Sequence, residues 1–188
     1  MVETGLFISE RIDGELCTTV VITKFKEPRT FREMLELGVL IKQLKKPQQW
    51  SLVPARVTNK NSASIETILI NVGKKDSIPI KQNLVVLDVS GGLLGKTIAV
   101  GNNASKVQLI TDNNFSVSVR VGSGINSSLG NFVPTVGKYG ILEGILKSTE
   151  LNPGDLAYTS GISDIYPADI PVAKIISANK DNNKPFQD

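Results

Sequence analysis

The sequence predicts a mainly β fold, in which short strands form a sandwich or barrels and one short amphipathic α-helix precedes them. Three observations predict this class. From Leu52 onward, short apolar runs alternate with turns rich in Gly, Asn and Asp, which is typical of sandwiches and barrels. The run Phe115–Val121 alternates apolar and polar residues strictly, as a half-buried strand does. A helical period is present only in residues 29–50.

The composition narrows the function classes before any motif is considered. A chain of 188 residues with 40% hydrophobic and 21% charged residues has an ordinary globular composition, with enough length for one substantial core or two small ones. The 21 basic and 18 acidic residues give a net charge of +3, which indicates no particular partner. With no histidine and a single cysteine, Cys17, one chain cannot form a Ser-His-Asp or Cys-His catalytic site, a His/Cys zinc site or an intrachain disulfide.

Acidic residues are scattered singly along the chain, and no local spacing argues for a catalytic pair of carboxylates. These patterns therefore predict no catalytic site and no cofactor or metal site. No apolar run approaches the roughly 18 residues that span a bilayer, and the start of the sequence has no basic region followed by an apolar core. The sequence as written therefore predicts a soluble chain without a membrane span.

The first 28 residues predict one strand, Leu16–Phe25, which is rich in β-branched residues and follows an Asp13-Gly14 turn signal. The rest of this segment, residues 1–28, is uninformative. From Leu52 to the end of the β region the predicted strands are Leu52–Thr58, Ile65–Val72, Leu84–Val89, Leu94–Val100, Val107–Ile110, Phe115–Val121, Tyr139–Leu146, Leu156–Thr159 and Val172–Ser177. Polar residues fill the tail, 179–188, which we expect to be disordered.

Residues 29–50 are expected to form the helix, with four apolar residues recurring at spacings of three, four and three. These residues are Met34, Leu37, Ile41 and Leu44. Two interpretations remain open. The stripe can pack on its own domain, or it can form a short coiled-coil seam through which two copies of the chain associate, although a persuasive heptad signal needs at least three or four repeats.

The motif Ser90-Gly-Gly-Leu-Leu-Gly-Lys-Thr97 is the one stretch that resembles a phosphate-binding loop. It departs from that motif because Ser90 stands where glycine is required, and because the following residues are β-like rather than helical. A hairpin with glycines at its tight turn is the favoured interpretation, and nucleotide binding is the alternative. A nucleic-acid-binding module of the OB type is a second alternative, which the 5% aromatic content disfavours.

Several ordered pieces of the β region carry a family resemblance. They are Pro54-Ala-Arg-Val57, Ile70-Asn-Val-Gly-Lys74, Gly91-Gly-Leu-Leu-Gly-Lys96, Val107-Gln-Leu-Ile-Thr-Asp-Asn-Asn114, Ser116-Val-Ser-Val-Arg-Val121, Tyr139-Gly-Ile-Leu-Glu-Gly144, Gly154-Asp-Leu-Ala-Tyr-Thr-Ser-Gly161, Ile165-Tyr-Pro167 and Ile170-Pro-Val172. In this order, from about Leu52 to Ile176, they resemble the MreC family of rod shape-determining proteins.

The resemblance implies two small six-stranded β-barrels within residues 51–178, the second at roughly 112–165 and set into or against the first. It further implies a non-catalytic scaffold of the bacterial cell-elongation machinery that regulates peptidoglycan synthesis and cell shape. Such proteins lie on the periplasmic side of the inner membrane, to which they are normally anchored, and dimerise or assemble further through a helix ahead of the barrels. Their partners are the elongation transpeptidase and membrane proteins of the rod complex, and no nucleic acid is implied.

This chain departs from the family pattern in having no membrane span and no long coiled coil, and its final loop reads Ser163-Asp-Ile-Tyr-Pro-Ala-Asp-Ile-Pro-Val-Ala173 where relatives carry glycines. The residues expected to matter are therefore structural. We expect turn or hairpin roles for Gly91, Gly92, Gly95, Asp112, Gly161 and Pro171, and self-association through the helical stripe at Met34, Leu37, Ile41 and Leu44.

Overall fold

The computed structural model describes residues 2–4, 18–23, 51–60, 66–76, 79–88, 90–122, 127–135, 137, 139–178 and 186–187. Over these residues the chain is all-β, as predicted, and contains fourteen strands. In chain order they are β1 Val2–Thr4, β2 Thr18–Thr23, β3 Ser51–Lys60, β4 Thr67–Ile70, β5 Val85–Leu87, β6 Leu93–Val100, β7 Ser105–Leu109, β8 Val117–Val121, β9 Ser128–Pro134, β10 Tyr139–Glu143, β11 Ile145–Leu146, β12 Leu156–Thr159, β13 Pro171–Ile175 and β14 Phe186–Gln187.

Twelve of these strands close into two six-stranded barrels, which confirms the predicted pair. The first barrel has the strand order β2-β3-β4-β7-β6-β5, and β5 pairs back with β2 to close the ring. All neighbouring strands are antiparallel. Register shifts in β3, between Val57 and Asn59, and in β6, between Thr97 and Ala99, mark bulges, which bend long strands around a small barrel.

The core of the first barrel consists of the inward-facing residues of its strands and of two residues between β4 and β5. Its members are Val53, Ala55, Ile68, Ile70, Val72, Ile80, Val86, Leu94, Val107 and Leu109. The alternation along β7 is strict, with Ser105, Val107 and Leu109 buried between more exposed neighbours. Each fully buried aliphatic side chain contributes about 1.5–3 kcal/mol relative to an exposed one, so these residues supply most of the stabilisation.

The second barrel has the strand order β1-β10-β9-β8-β12-β13, and β1 pairs with both β10 and β13 to close the ring. The alternation predicted for Phe115–Val121 is confirmed, because Phe115, Val117, Val119 and Val121 are all at most 2% exposed. Their neighbours inside this barrel include Phe132, which pairs with Val117 across β8 and β9.

The boundaries of the two units differ from the predicted ones. One compact unit contains Leu6–Leu109, and the other contains Ile110–Asp188 together with Met1–Gly5, a wider range than the predicted 112–165. The physical reason is barrel closure. Without β13 the second ring would be open, and β1 completes the ring by pairing with both β13 and β10. The first 28 residues, which carried one predicted strand, thus contribute one strand to each barrel.

Three strands were not predicted. Strand β9 contains Gly130, Asn131 and Pro134, residue types that are depleted in strands, and it forms because β8 and β10 pair with its two edges. Strand β1 has three residues, too few for a pattern. The tail was expected to be disordered throughout, and this was wrong for Phe186–Gln187, which pair with β11 because an unpaired strand edge is a template for further pairing.

The predicted helix at 29–50 lies outside the described residues, and with it the stripe Met34, Leu37, Ile41 and Leu44. Its two interpretations therefore stay open. Within the part of the chain that the structure covers, no helix is long and apolar enough to cross a membrane.

Candidate functional site

The loop between β5 and β6 is a hairpin closed by one carboxylate. Asp88 Oδ1 accepts hydrogen bonds from the backbone N–H of Ser90 at 2.9 Å, from the Ser90 hydroxyl at 2.7 Å and from the N–H of Gly92 at 2.8 Å. The backbone N–H of Asp88 donates to the Gly92 carbonyl at 2.9 Å, and that of Gly91 to the Asp88 carbonyl at 3.1 Å. Asp88 is thus the main turn-forming residue here, and sequence reasoning missed it.

The three glycines predicted for this hairpin have different roles. Gly91 has φ of 88°, in the left-handed region that favours glycine, and supplies the turn. Gly92 has ordinary space, since a Cβ there would lie 3.4 Å from Asp88 Oδ2. Gly95 lies inside β6, and a Cβ there would overlap the backbone carbonyl oxygen of Gln108 on β7.

This geometry does not support the nucleotide-binding alternative. A phosphate loop directs its backbone amides at a phosphate and leads into a helix. Here the amides of Ser90 and Gly92 are directed at the Asp88 carboxylate, and Leu93–Val100 continues as strand β6. The stretch is a structural hairpin of the first barrel.

Asp112 forms a turn of the predicted kind at the start of the second barrel. Its Oδ1 accepts from the Asn114 N–H at 2.8 Å and from Asn114 Nδ2 at 3.3 Å, while its carbonyl accepts from the Phe115 N–H at 2.7 Å. Asp112 is only 7% exposed, so these bonds replace the water that a buried carboxylate loses. The turn sets Phe115 into the core.

The outer wall of the second barrel carries a row of side chains that runs across four adjacent strands. Leu129 on β9 pairs with Arg120 on β8, Arg120 with Tyr158 on β12, and Tyr158 with Pro171 on β13. We call these four residues the outer row. Each of the four is more exposed than a buried residue next to it on its strand, and the row therefore faces outward. Leu129 is 50% exposed, and Leu156, two residues before Tyr158, is 43% exposed.

An ion pair joins the outer row to the following loop. The Nη2 atom of Arg120 donates to Oδ1 of Asp169 at 2.5 Å, with the two side chains 35% and 65% exposed. An ion pair this exposed contributes only about 0–1 kcal/mol to folding. Its effect is mainly to orient Arg120 along the wall and to pair its charge. The nucleic-acid alternative therefore gains no support here, because this basic side chain beside an aromatic one already has an acidic partner.

The loop between β12 and β13, residues 160–170, is held at its base by Thr159; we call it the Ile162 loop. Thr159 Oγ1 donates to the Pro167 carbonyl at 2.5 Å and accepts from the Ile170 N–H at 2.9 Å. The Asp169 N–H donates to the Thr159 carbonyl at 3.0 Å. Thr159 is fully buried, so its one hydroxyl satisfies two backbone groups of the returning arm where water has no access.

The predicted turn residue Gly161 belongs to this loop and is required there. Its φ is 76°, and a Cβ would lie 2.6 Å from the Cβ of Ala168 on the opposite arm. Two serines order the tip, since the Ile162 N–H donates to Ser160 Oγ at 3.3 Å and the Ile165 N–H to Ser163 Oγ at 3.2 Å. The loop therefore has a defined conformation.

This ordered loop presents Ile162 with 66% of its surface exposed, the largest exposure among the large hydrophobic side chains of the described residues. The loop also carries two exposed carboxylates, of which Asp169 is paired with Arg120 and Asp164 lies two residues after Ile162. Residues 160–170 contain no Lys or Arg. An apolar side chain on a fixed loop is suited to insertion into a partner's apolar pocket, because little conformational entropy is lost on binding.

Tyr166 anchors the same loop from inside. Its ring is 4% exposed and meets the Phe115 ring edge-on, with centroids 6.0 Å apart and an interplanar angle of 66°. Its hydroxyl is the one buried side-chain polar atom of the described residues without a hydrogen-bond partner. Burial raises the pKa of Tyr166 far above its ordinary value of 10.0.

We expect Tyr166→Phe to stabilise the protein by about 1 kcal/mol, because it removes a buried hydroxyl with no partner and keeps the ring contact. The difference should grow above pH 10. Above pH 10 the Tyr166 hydroxyl ionises in the unfolded chain but stays neutral in the folded chain. The free energy of unfolding of the wild type therefore falls as pH rises, and the phenylalanine variant does not have this loss. Urea unfolding at pH 7 and pH 10.5 measures both effects. Equal stability loss with pH in the two proteins would contradict the predicted burial of the hydroxyl.

The structure brings only some of the predicted residues together. Gly161 lies near the start of the Ile162 loop and Pro171 directly follows it, with Pro171 as the first residue of β13. Gly91, Gly92 and Gly95 belong to the first barrel, and Asp112 to the turn before β8. Sequence reasoning missed Arg120, Asp169 and Ile162. An isoleucine flanked by polar residues in a predicted loop was the available signal for Ile162. In the described part of the chain, no three His, Cys, Asp or Glu side chains are grouped so that they could hold a metal ion.

Comparison with known proteins places these features in a family context. A family model described as "Rod shape-determining protein MreC, barrel core" matches residues 57–188. The cell shape-determining protein MreC of Haemophilus influenzae is 27% identical over 164 residues, which cover 82% of this chain and 43% of the relative. That of Cereibacter sphaeroides is 33% identical over 112 residues, which cover 58% of this chain and 35% of the relative. The chain thus spans less than half the length of either relative.

Solved structures share the fold. A structure of MreC superposes with a TM-score of 0.67 at 22% identity, covering 83% of this chain and 86% of that one. The major periplasmic domain of the cell shape-determining filament MreC, in an orthorhombic crystal form, gives a TM-score of 0.58 at 21% identity, covering 71% and 81%. A complex between Penicillin-Binding Protein (PBP2) and MreC from Helicobacter pylori contains a chain with a TM-score of 0.52 at 18% identity, covering 70% and 79%.

Proposed function

The chain belongs to the MreC family of rod shape-determining proteins, and from this membership we propose that it is a non-catalytic scaffold of the bacterial cell-elongation machinery. In this role it binds other proteins of peptidoglycan synthesis and helps to regulate cell shape. The proposal places it outside the cytoplasm, on the periplasmic side of an inner membrane to which the whole protein is anchored. The periplasmic domain solved for a similar MreC supports this location.

One observation carries the proposal of a binding role, which is the Ile162 loop beside the outer row. A scaffold needs exposed apolar groups on a backbone that does not rearrange, and this loop provides both. Thr159 fixes its base, Gly161 permits its close approach to Ala168, and Ile162 is left exposed at the tip. No chemistry is required of any of these residues.

We propose the elongation transpeptidase as the partner, supported by the solved complex of a similar MreC with PBP2 from Helicobacter pylori. The matching site on the transpeptidase would be an apolar pocket with a basic residue at its rim, because the exposed Asp164 carboxylate lies two residues after Ile162, whereas Asp169 is already paired with Arg120. Membrane proteins of the rod complex are further proposed partners. Self-association into a dimer or higher oligomer is proposed through the helical stripe Met34, Leu37, Ile41 and Leu44.

The test is the affinity of the periplasmic part of the transpeptidase from the same organism, measured by titration calorimetry. We expect Ile162→Asp to weaken binding at least about tenfold, since a desolvated apolar anchor near the centre of an interface contributes about 1.4 kcal/mol or more. Leu69→Asp is the matched control. It places the same charge at an exposed apolar position of the first barrel, and its affinity should stay within about twofold of the wild type.

The outcomes separate the parts of the proposal. Loss of affinity in Ile162→Asp alone would support the loop as the contact. If both variants lost affinity equally, or if neither lost affinity, the contact would lie elsewhere. No measurable binding by the wild-type chain would remove the transpeptidase as a partner of these barrels.

A further inference from the structure

Strand β11 has two different sides. The Leu146 N–H donates to Ser128 Oγ on β9 at 3.1 Å, and the Leu146 carbonyl accepts from the Thr149 N–H in the following turn at 2.9 Å, so neither of these bonds is directed at β14. Backbone polar groups of successive strand residues point to opposite sides. Those of Ile145 therefore face the other edge, where β14 pairs antiparallel, with Ile145 opposite Gln187 and Leu146 opposite Phe186.

The strand that occupies this edge is short and is joined by a long connection. The pairing of β14 extends over two residues, fewer than an isolated strand pair needs for stability in water. Residues 176–185 connect it to the end of β13, a connection of ten residues that can span at most about 33–36 Å. The Leu146 side chain beside the pairing is 50% exposed, so the edge is reachable from solvent.

We propose that the outer edge of β11 is a strand-addition site, and that its second occupant is the β14 segment of another copy of this chain. The same residues make the same contacts within one chain and between two, so exchange costs only the advantage of being tethered. A tether of this length gives an effective concentration on the order of millimolar. The intramolecular pairing therefore prevails in dilute intact protein, and exchange becomes visible when one chain's edge is vacated. This association is independent of the proposed transpeptidase partner and of the helical stripe.

The register defines a disulfide test. Because the polar groups of Leu146 point away from β14, Leu146 and Phe186 form the non-hydrogen-bonded pair, whose Cα atoms lie about 4.5 Å apart and suit a disulfide. Both partners carry Cys17→Ser, which removes the native cysteine. The acceptor is Leu146→Cys in a chain that ends at Pro185, so its edge is vacant. The donor is Phe186→Cys in the full chain.

When acceptor and donor are mixed at equal concentrations and oxidised, they should form a cross-linked dimer. Its yield should be at least about tenfold higher than with a control acceptor that carries Leu129→Cys and also ends at Pro185. Leu129 is a matched control, because it is also 50% exposed in the same compact unit but pairs with Arg120 rather than β14. Equal yields from the two acceptors, or no dimer, would overturn the proposal.

Two further variants test the pairing within one chain and the vacancy of the edge. Leu146→Cys and Phe186→Cys in one full chain should form an intrachain disulfide, and failure to do so would overturn the pairing itself. If the shortened acceptor does not fold, Gln187→Pro in the full-length acceptor vacates the edge instead, because proline removes the N–H that faces Ile145. The dimer must then appear with this acceptor, and its absence would count against the exchange.

Discussion

Gly95→Ala should be among the most destabilising single substitutions in the first barrel, with a loss of about 3–5 kcal/mol or a failure to fold. The added methyl group would overlap the carbonyl oxygen of Gln108, lie 2.9 Å from its carbonyl carbon and lie 3.1 Å from Cα of Leu109. These are backbone atoms of β7, paired with β6 on one side and with β4 on the other. They can move only if the barrel wall opens, whereas a flexible side chain could turn away.

The control for this prediction is Gly92→Ala in the same hairpin. A Cβ at Gly92 meets the Asp88 carboxylate at 3.4 Å or more, which is ordinary contact, so we expect a change within about 1 kcal/mol. Thermal and urea unfolding followed by circular dichroism would compare the two. Wild-type-like unfolding of Gly95→Ala would show that β6 and β7 do not approach as closely as the structure places them.

These two glycines illustrate what the sequence could and could not predict. Gly91, Gly92 and Gly95 occur together after a predicted strand, and a hairpin is the natural interpretation of the cluster. The tight turn at Gly91 follows from local chemistry, and it is present. The close approach at Gly95 depends on the register of the β6–β7 hairpin, which sets Gly95 opposite Leu109. A bulge between Thr97 and Ala99 shifts that register, and no local pattern encodes it.

The same distinction explains the rest of the fold. Strands with strict alternation, such as Val117–Val121, were predictable because the burial of one face requires a period of two. Strand β9 was missed because Gly130 and Asn131 disfavour strands locally, while pairing on both edges overrides that preference. The closing role of β1 was missed because three residues carry no period. For the proposed binding surface, local sequence predicted a loop at Ile162 but not that Thr159 would fix it with the isoleucine exposed.

In the second barrel, Gly140→Ala should lower the free energy of unfolding by about 2–4 kcal/mol. Its methyl group would meet an aromatic ring as well as backbone, whereas that of Gly95→Ala would meet backbone only. A Cβ at Gly140 would overlap Cε2 of Phe132, lie 2.6 Å from its Cζ and lie 2.9 Å from the Val133 carbonyl oxygen. Phe132 is fully buried and cannot swing into solvent. The ring covers the glycine across the β9–β10 pair, where the register sets Gly140 opposite Pro134 and Leu142 opposite Phe132.

This arrangement predicts energetic coupling that can be measured by a double-mutant cycle. Phe132→Leu shortens the ring side chain, so Gly140→Ala should cost at least about 1 kcal/mol less in that background than in the wild type. Part of the cost should remain, because the Val133 carbonyl belongs to the backbone and does not move with the ring. Val86→Ala, in the core of the first barrel, serves as the uncoupled partner and should add to Gly140→Ala within about 0.5 kcal/mol. If Phe132→Leu were also additive with Gly140→Ala, the ring would not be what requires glycine at position 140, and the backbone contact with Val133 alone would have to account for it.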